Sequence, residues 1–164
     1  MNNTITIYTD GAARGNPGPG GYGVILMSGQ HRKELSQGYR KTTNNRMELM
    51  AVIAALEALK KDQMNVTIYT DSQYVAKAVN EKWLDKWVAT NFKGGKKNKD
   101  LWMQFYELAK KHKINFVWVR GHADNPLNNR CDELATEAAD GTDLLIDKEY
   151  EKNLNQDLGG LSGL

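Results

Sequence analysis

The order of apolar patterns predicts an α/β protein built on a mixed sheet. Three β-rich segments crowd into the first 41 residues, and helical and strand patterns then alternate to about residue 139. Three strands joined by short connections make an antiparallel meander. Strands separated by helices pair in parallel through right-handed crossovers, which puts helices on both faces. The expected sheet has five strands, with strands 1 to 3 as the meander and strands 1, 4 and 5 parallel. A chain of 164 residues suffices for one such domain around a single core.

Each element has a local reason. Thr4 to Asp10 alternates with period two and is rich in β-formers, and Tyr22 to Met27 and Glu34 to Lys41 supply the next two strands. Met47 to Leu59 is apolar at 11 of 13 positions, too long for a buried strand and rich in Ala, Leu and Met, so it reads as a helix buried on most sides. Asn45 as N-cap with Glu48 at N3 fits a capping box. Val66 to Thr70 is a strand, Ser72 to Val88 mainly helical, Asp100 to His112 an amphipathic helix and Ile114 to Arg120 a strand. Pro126 to Ala139 closes the pattern as a helix, with Pro126 suited to N1 and Gly141 to the stop. Gly18 to Gly23 fits G-x-G-x-x-G, but a strand follows it rather than a helix, so a dinucleotide site is not expected. The Gly-rich stretch from Gly11 to Gly23 would let backbone amides approach a ligand, or simply turn the chain.

Composition narrows the setting. The longest apolar run, Leu49 to Leu56, is eight residues, against the ~20 that a membrane helix needs. A soluble monomer without membrane contact is the expectation. The start of the chain has no basic-then-apolar leader, and Cys131 has no second cysteine to pair with, both of which suit a reducing cytoplasm. Net charge is only +2, yet residues 82–99 hold six Lys against Asp85, a local +5 that leaves −3 elsewhere. A basic patch on an acidic body suits a phosphodiester ligand, although a solvated loop would look the same on charge alone.

Carboxylates gather at strand ends. The first strand ends Ile7-Tyr8-Thr9-Asp10 and the fourth ends Ile68-Tyr69-Thr70-Asp71. As parallel neighbours they would set Asp10 and Asp71 side by side at the sheet edge where α/β proteins bind ligands. Either acid alone could merely open a turn; the repetition favours a site. Glu48 sits in the first turn of the intervening helix, but the strand before that helix belongs to the meander, and capping alone would also account for it. In the last helix Asp132 lies beside the buried stripe, one turn after Asn128. Four converging acids repel unless protonated or bridged by cations, and all-oxygen ligation suits Mg²⁺ or Mn²⁺ rather than zinc. His122 follows the last strand on a loop, where it is either a surface residue or a proton shuttle beside the acids.

These blocks have a family likeness. Tyr8-Thr9-Asp10-Gly11 with Asn16-Pro17-Gly18, Thr43-Asn44-Asn45-Arg46-Met47-Glu48-Leu49, Thr70-Asp71-Ser72-Gln73-Tyr74, Val119-Arg120-Gly121-His122 and Asn128 to Ala135 together resemble bacterial type 1 ribonuclease H. The resemblance spans residues 4 to about 140, in the family order. It implies a ribonuclease H-like catalytic domain over 1–140 with a basic protrusion at about 82–99. An acidic tail would follow over 141–164, its end expected to be disordered.

The activity implied is metal-dependent endonucleolytic cleavage of the RNA strand of RNA–DNA hybrids, with two Mg²⁺ ions, or Mn²⁺ as a substitute. The products would be 5′-phosphate and 3′-hydroxyl ends. The family's four acids fall on Asp10, Glu48, Asp71 and Asp132, and its mobile histidine on His122. Asn16, Asn44, Asn45 and Gln73 would follow the minor groove near successive 2′-hydroxyls. Lys41, Thr43 and Asn98 match a pocket for a DNA phosphate. Trp83, Trp87, Lys96, Lys97 and Lys99 match the protrusion that flanks the DNA strand, though Trp83 and Trp87, at i and i+4, could equally pack a core. A non-catalytic hybrid-binding module would use the same grooves, but has little reason to carry four converging acids.

Overall fold

A computed structural model describes residues 3–94, 96–121 and 125–154. The elements run β1 (Thr4–Ala13), β2 (Gly18–Ser28), β3 (His31–Thr42), α1 (Asn44–Glu57), β4 (Asn65–Thr70), α2 (Gln73–Asn80), α3 (Trp83–Ala89), α4 (Lys99–Ala109), β5 (Lys113–Trp118), α5 (Pro126–Asp140) and β6 (Leu144–Leu145). The sheet order is β5-β4-β1-β2-β3-β6. The meander pairs β1, β2 and β3 antiparallel, and β1, β4 and β5 pair parallel. The sheet thus has six strands rather than the five expected, because Leu144 and Leu145 add a parallel edge beside Gly38 and Tyr39. Two residues carry no readable period, which is why the pattern missed them.

Alternation in the strands separates two cores. Ile5, Ile7, Val24, Leu26, Val66 and Ile68 meet α1 and the helices after it, while Ile25 meets Cys131 and Leu134 of α5 on the other face. The first core continues through Trp102, which is fully buried, to Phe105 and Phe116.

Two helix boundaries differ from expectation. The N-cap of α1 is Thr43, whose hydroxyl accepts from the Arg46 N–H at 3.3 Å. Strand β3 runs on to Thr42, so the chain turns two residues earlier than an Asn45 cap would have it, and the Asn45–Glu48 capping box does not form. Glu48 is thereby free of any capping role. The stretch from Ser72 to Val88 is two helices, divided at Lys82, which takes a left-handed φ of 60°. Ser72 caps the first of them through the Val75 N–H.

Residues 141–154, assigned to the tail by the sequence pattern, lie against the domain. Beyond β6, Asp147 is buried and bonded to Arg46 and Thr42, residues 148–154 are helical, and Glu151 pairs with Arg40. The end of the chain for which disorder was expected lies outside the described residues.

Candidate active site

Strand register places the first two acids. Thr9 pairs with Thr70 across the parallel β1–β4 ladder, so Asp10 and Asp71, the next residues, emerge together at the carboxyl end of the sheet. Glycine brings in the third. A Cβ on Gly11 would lie 2.4 Å from the Glu48 nitrogen and 2.5 Å from the Met47 carbonyl carbon, so only glycine lets the α1 backbone approach β1 this closely. The fourth arrives by the same device, since a Cβ on Gly23 would sit 2.3 Å from the Cys131 carbonyl oxygen of α5. A strand-interior glycine costs about 0.5–1 kcal/mol of backbone entropy; any side chain here would displace the helix that carries Asp132. Both glycines serve helix–sheet contact rather than a turn, and Gly11 also lines the cleft into which the acids project.

Ligand oxygens of Asp10, Glu48 and Asp71 all lie within 4.8 Å of one another. Asp132 lines the same open cleft of about 450 Å³, together with Asn44, Asn45, Gln73 and Asn128. Asp10 and Glu48 are buried. Burial first, then the charge of Asp71 and a smaller contribution from Asp132, pushes the Asp10 carboxyl up to about 8, against the opposing pull of hydrogen bonds from Glu48 and the Gly11 amide. Burial, followed by the charges of Asp10 and Asp71, holds Glu48 well above the usual carboxylate range. The two carboxyls are thus coupled, and burial and mutual repulsion favour protonation at the pair.

The donor set fits divalent cations. Oε2 of Glu48 is buried without a hydrogen-bond partner among the described residues, and so is Oδ1 of Asn128. Buried orphan oxygens beside repelling carboxylates are what a hard, oxygen-seeking ion satisfies. Cys131 offers no competing soft ligand, because burial, followed by the charge of Asp10, pushes its thiol up to about 12. Gly121 packs against Asp71. A Cβ there would be 3.0 Å from Oδ2 of Asp71, while Trp118 fixes that residue's backbone by donating from Nε1 to its carbonyl at 3.1 Å. His122, the next residue, lies outside the described residues.

The remaining residues singled out in the sequence fall in three places. Asn44, Asn45 and Gln73 line the acidic cleft. Asn16, Thr43, Lys96, Lys97, Asn98 and Lys99 line a neighbouring groove of about 990 Å³, and Asn45 belongs to both. Asn16 also holds the start of α1, accepting from the Asn44 N–H at 3.0 Å. Lys41 is exposed near Glu151, outside the lining of either hollow. Trp87 packs against Trp102, Phe92 and Tyr74 with Lys96 over its ring, whereas Trp83 is 37% exposed at the outer edge. Sequence reasoning gave no role to Asn128, although its spacing one turn before Asp132 was a usable signal. It also gave none to Arg46, whose buried charge needs partners distant in the chain.

Comparison with known proteins supplies the family. The family model described as RNase H matches residues 2–140. The ribonuclease H of Syntrophus aciditrophicus is 55% identical over 150 residues, covering 89% of this chain and 86% of that protein. The ribonuclease H of Lachnoclostridium phytofermentans is 55% identical over 157 residues, covering 90% and 99%. Among solved structures, LC9-RNase H1, a type 1 RNase H with the type 2 active-site motif, superposes with a TM-score of 0.77 at 29% identity, covering 93% of this chain and 81% of that one. LC11-RNase H1, solved in complex with RNA/DNA hybrid, gives 0.64 at 30% identity, covering 83% and 96%. A mixed α/β sheet with carboxylates converging at its carboxyl edge, in this company, defines a nucleic acid hydrolase that works through bound metal. The chain belongs to the ribonuclease H family.

Proposed function

We propose that the chain is an endonuclease that hydrolyses the RNA strand of RNA–DNA hybrids with Mg²⁺, leaving 5′-phosphate and 3′-hydroxyl ends. The observation that carries this reading is the meeting of Asp10, Glu48 and Asp71 oxygens within 4.8 Å, in a cleft that Asp132 also lines. When bound, a pair of Mg²⁺ ions, or Mn²⁺ in their place, supplies activation of the attacking water and charge stabilisation at the leaving 3′-oxygen. Asp10 and Glu48 present their oxygens from opposite elements at a spacing the backbone fixes, so little reorganisation is needed as the charges are neutralised. Asp71 and Asp132 close the set from β4 and α5. His122 acts as the proton shuttle.

Substrate choice belongs to the polar rim. Asn44, Asn45 and Gln73 offer amides beside the acids, suited to the donor and acceptor 2′-hydroxyls that distinguish RNA from DNA. Asn16 extends that row, and Asn45 links it to the groove of Lys96, Lys97, Asn98 and Lys99, where the phosphates of the DNA strand would run, with Trp87 beneath Lys96 and Trp83 beside Trp87. Thr43 and Asn98, with Lys41 nearby, form the DNA-phosphate pocket. The protein acts as a monomer in a reducing cytoplasm, in keeping with a single, buried cysteine and with the lack, among the described residues, of any helix long and apolar enough to cross a membrane.

The direct test is an end-labelled hybrid beside the same sequence as RNA–RNA and DNA–DNA. Cleavage confined to the RNA strand of the hybrid, dependent on Mg²⁺ and abolished by EDTA, is expected; cleavage of either control at a similar rate would remove the hybrid assignment. The groove has its own test. Replacing Lys96, Lys97 and Lys99 with Ala should weaken hybrids of all sequences alike and flatten the slope of log K against log salt by up to about 0.9 per lost phosphate contact. An unchanged slope would place these lysines in solvent.

A further inference from the structure

One buried carboxylate outside the family match bonds to the β3–α1 junction beside the groove. Asp147 is 3% exposed and lies beyond residue 140. Its Oδ2 accepts from the Thr42 hydroxyl at 2.8 Å and from Nε of Arg46 at 2.7 Å, and its Oδ1 accepts from Nη2 of Arg46 at 3.0 Å. Thr42 is the residue between Lys41 and Thr43. Arg46, also 3% exposed, is clamped from its other side by Asp100 at 2.9 and 2.7 Å. Its Nη1 then donates to Oδ1 of Asn98 at 3.3 Å, while Nδ2 of Asn98 donates to the Tyr74 hydroxyl at 3.2 Å. The Asn98 amide is therefore held at both ends, and its orientation leaves a second N–H to offer. The bidentate, charge-assisted geometry around Arg46 makes this clamp stiff, and a buried guanidinium cannot trade partners with water.

We infer that Asp147 is a positioning residue for the DNA-phosphate pocket, setting Thr43 through Thr42 and Asn98 through Arg46. This rests on the reading of Thr43 and Asn98 as phosphate contacts. One acid thus fixes the spacing of two groups more than 50 residues apart in sequence, and the segment 141–154 becomes part of the substrate-binding machinery rather than an appendage. On the same segment Glu151 pairs with Arg40 at the surface and lies near Lys41.

The test scans the DNA strand of a hybrid with single methylphosphonates, each removing one phosphate charge. Wild type should show a KM rise of about tenfold at one position, the loss of one charge-assisted contact. Asp147→Asn should raise KM on the unmodified hybrid by about tenfold with kcat within about twofold, and should erase the position-specific effect. Glu107→Gln, at an exposed ion pair of α4 that lines neither hollow, should behave as wild type in both respects. Thr42→Val, which cuts one arm while keeping shape, should weaken the position-specific effect and serves if Asp147→Asn does not fold. A folded Asp147→Asn or Thr42→Val that keeps the full effect at that position would overturn the role of Asp147 and leave the pocket standing. A wild type with no position-specific effect would overturn the pocket itself, and this role with it.

Discussion

Asp71→Asn, and likewise Asp10→Asn, should reduce cleavage by on the order of 10³-fold or more while hybrid affinity changes little. The two acids follow paired residues of adjacent parallel strands, so neither can be replaced by a neighbour's movement; the backbone spacing is set by the sheet. An amide keeps the volume and one acceptor oxygen but lacks the negative charge that a carboxylate would offer a divalent cation. Binding is expected to survive because the groove lysines and the amide row lie on other elements. Steady-state rates at saturating Mg²⁺, with affinity measured separately in Ca²⁺, would check this. Turnover near that of wild type in either variant would mean that another set of residues carries the chemistry.

Much of this arrangement was legible because local patterns carried it. The repeated Tyr-Thr-Asp run needs only the parallel pairing of β1 and β4 to become a pair of neighbouring carboxylates, and a single crossover helix implies that pairing, although β1 does not end at Asp10 as expected but runs on to Ala13 beside β2. Asp132 could be placed beside the buried stripe of its helix by spacing alone. Glu48 was harder, since the strand before its helix belongs to the meander. What brings it to Asp10 is the missing side chain of Gly11, and a glycine in a Gly-rich run does not announce which element will press against it. The Arg46–Asp147 clamp joins residues 101 apart in sequence, and no periodicity links such a pair. The division at Lys82 was equally hidden, because a left-handed φ at a lysine has no compositional sign.

The second large effect needs no substrate. In metal-free buffer, folding raises the Asp10 carboxyl from 3.8 to about 8, and Glu48 shifts in the same direction. Between those values the folded protein binds a proton that the unfolded chain has released, so stability falls as pH rises through the window from about 4 to about 8. Below it both states are protonated and the cost vanishes; above it both are ionised and the cost is constant. Asn at position 10 mimics the protonated acid at every pH and also relieves Glu48 of a neighbouring charge. Asp10→Asn should therefore match wild type near pH 4 and exceed it by about 1 to 3 kcal/mol near pH 7, less than the full shift implies because the open cleft admits water that screens the repulsion. Mg²⁺ should narrow the gap, since only the wild type presents the full set of charges to bind and be stabilised by the cation. Urea melts of both proteins across this pH range, with EDTA and with Mg²⁺, give the comparison. A gap that stays flat or reverses sign between pH 4 and 7 in EDTA would show that neither burial nor the neighbouring acids raise the Asp10 carboxyl in the folded state.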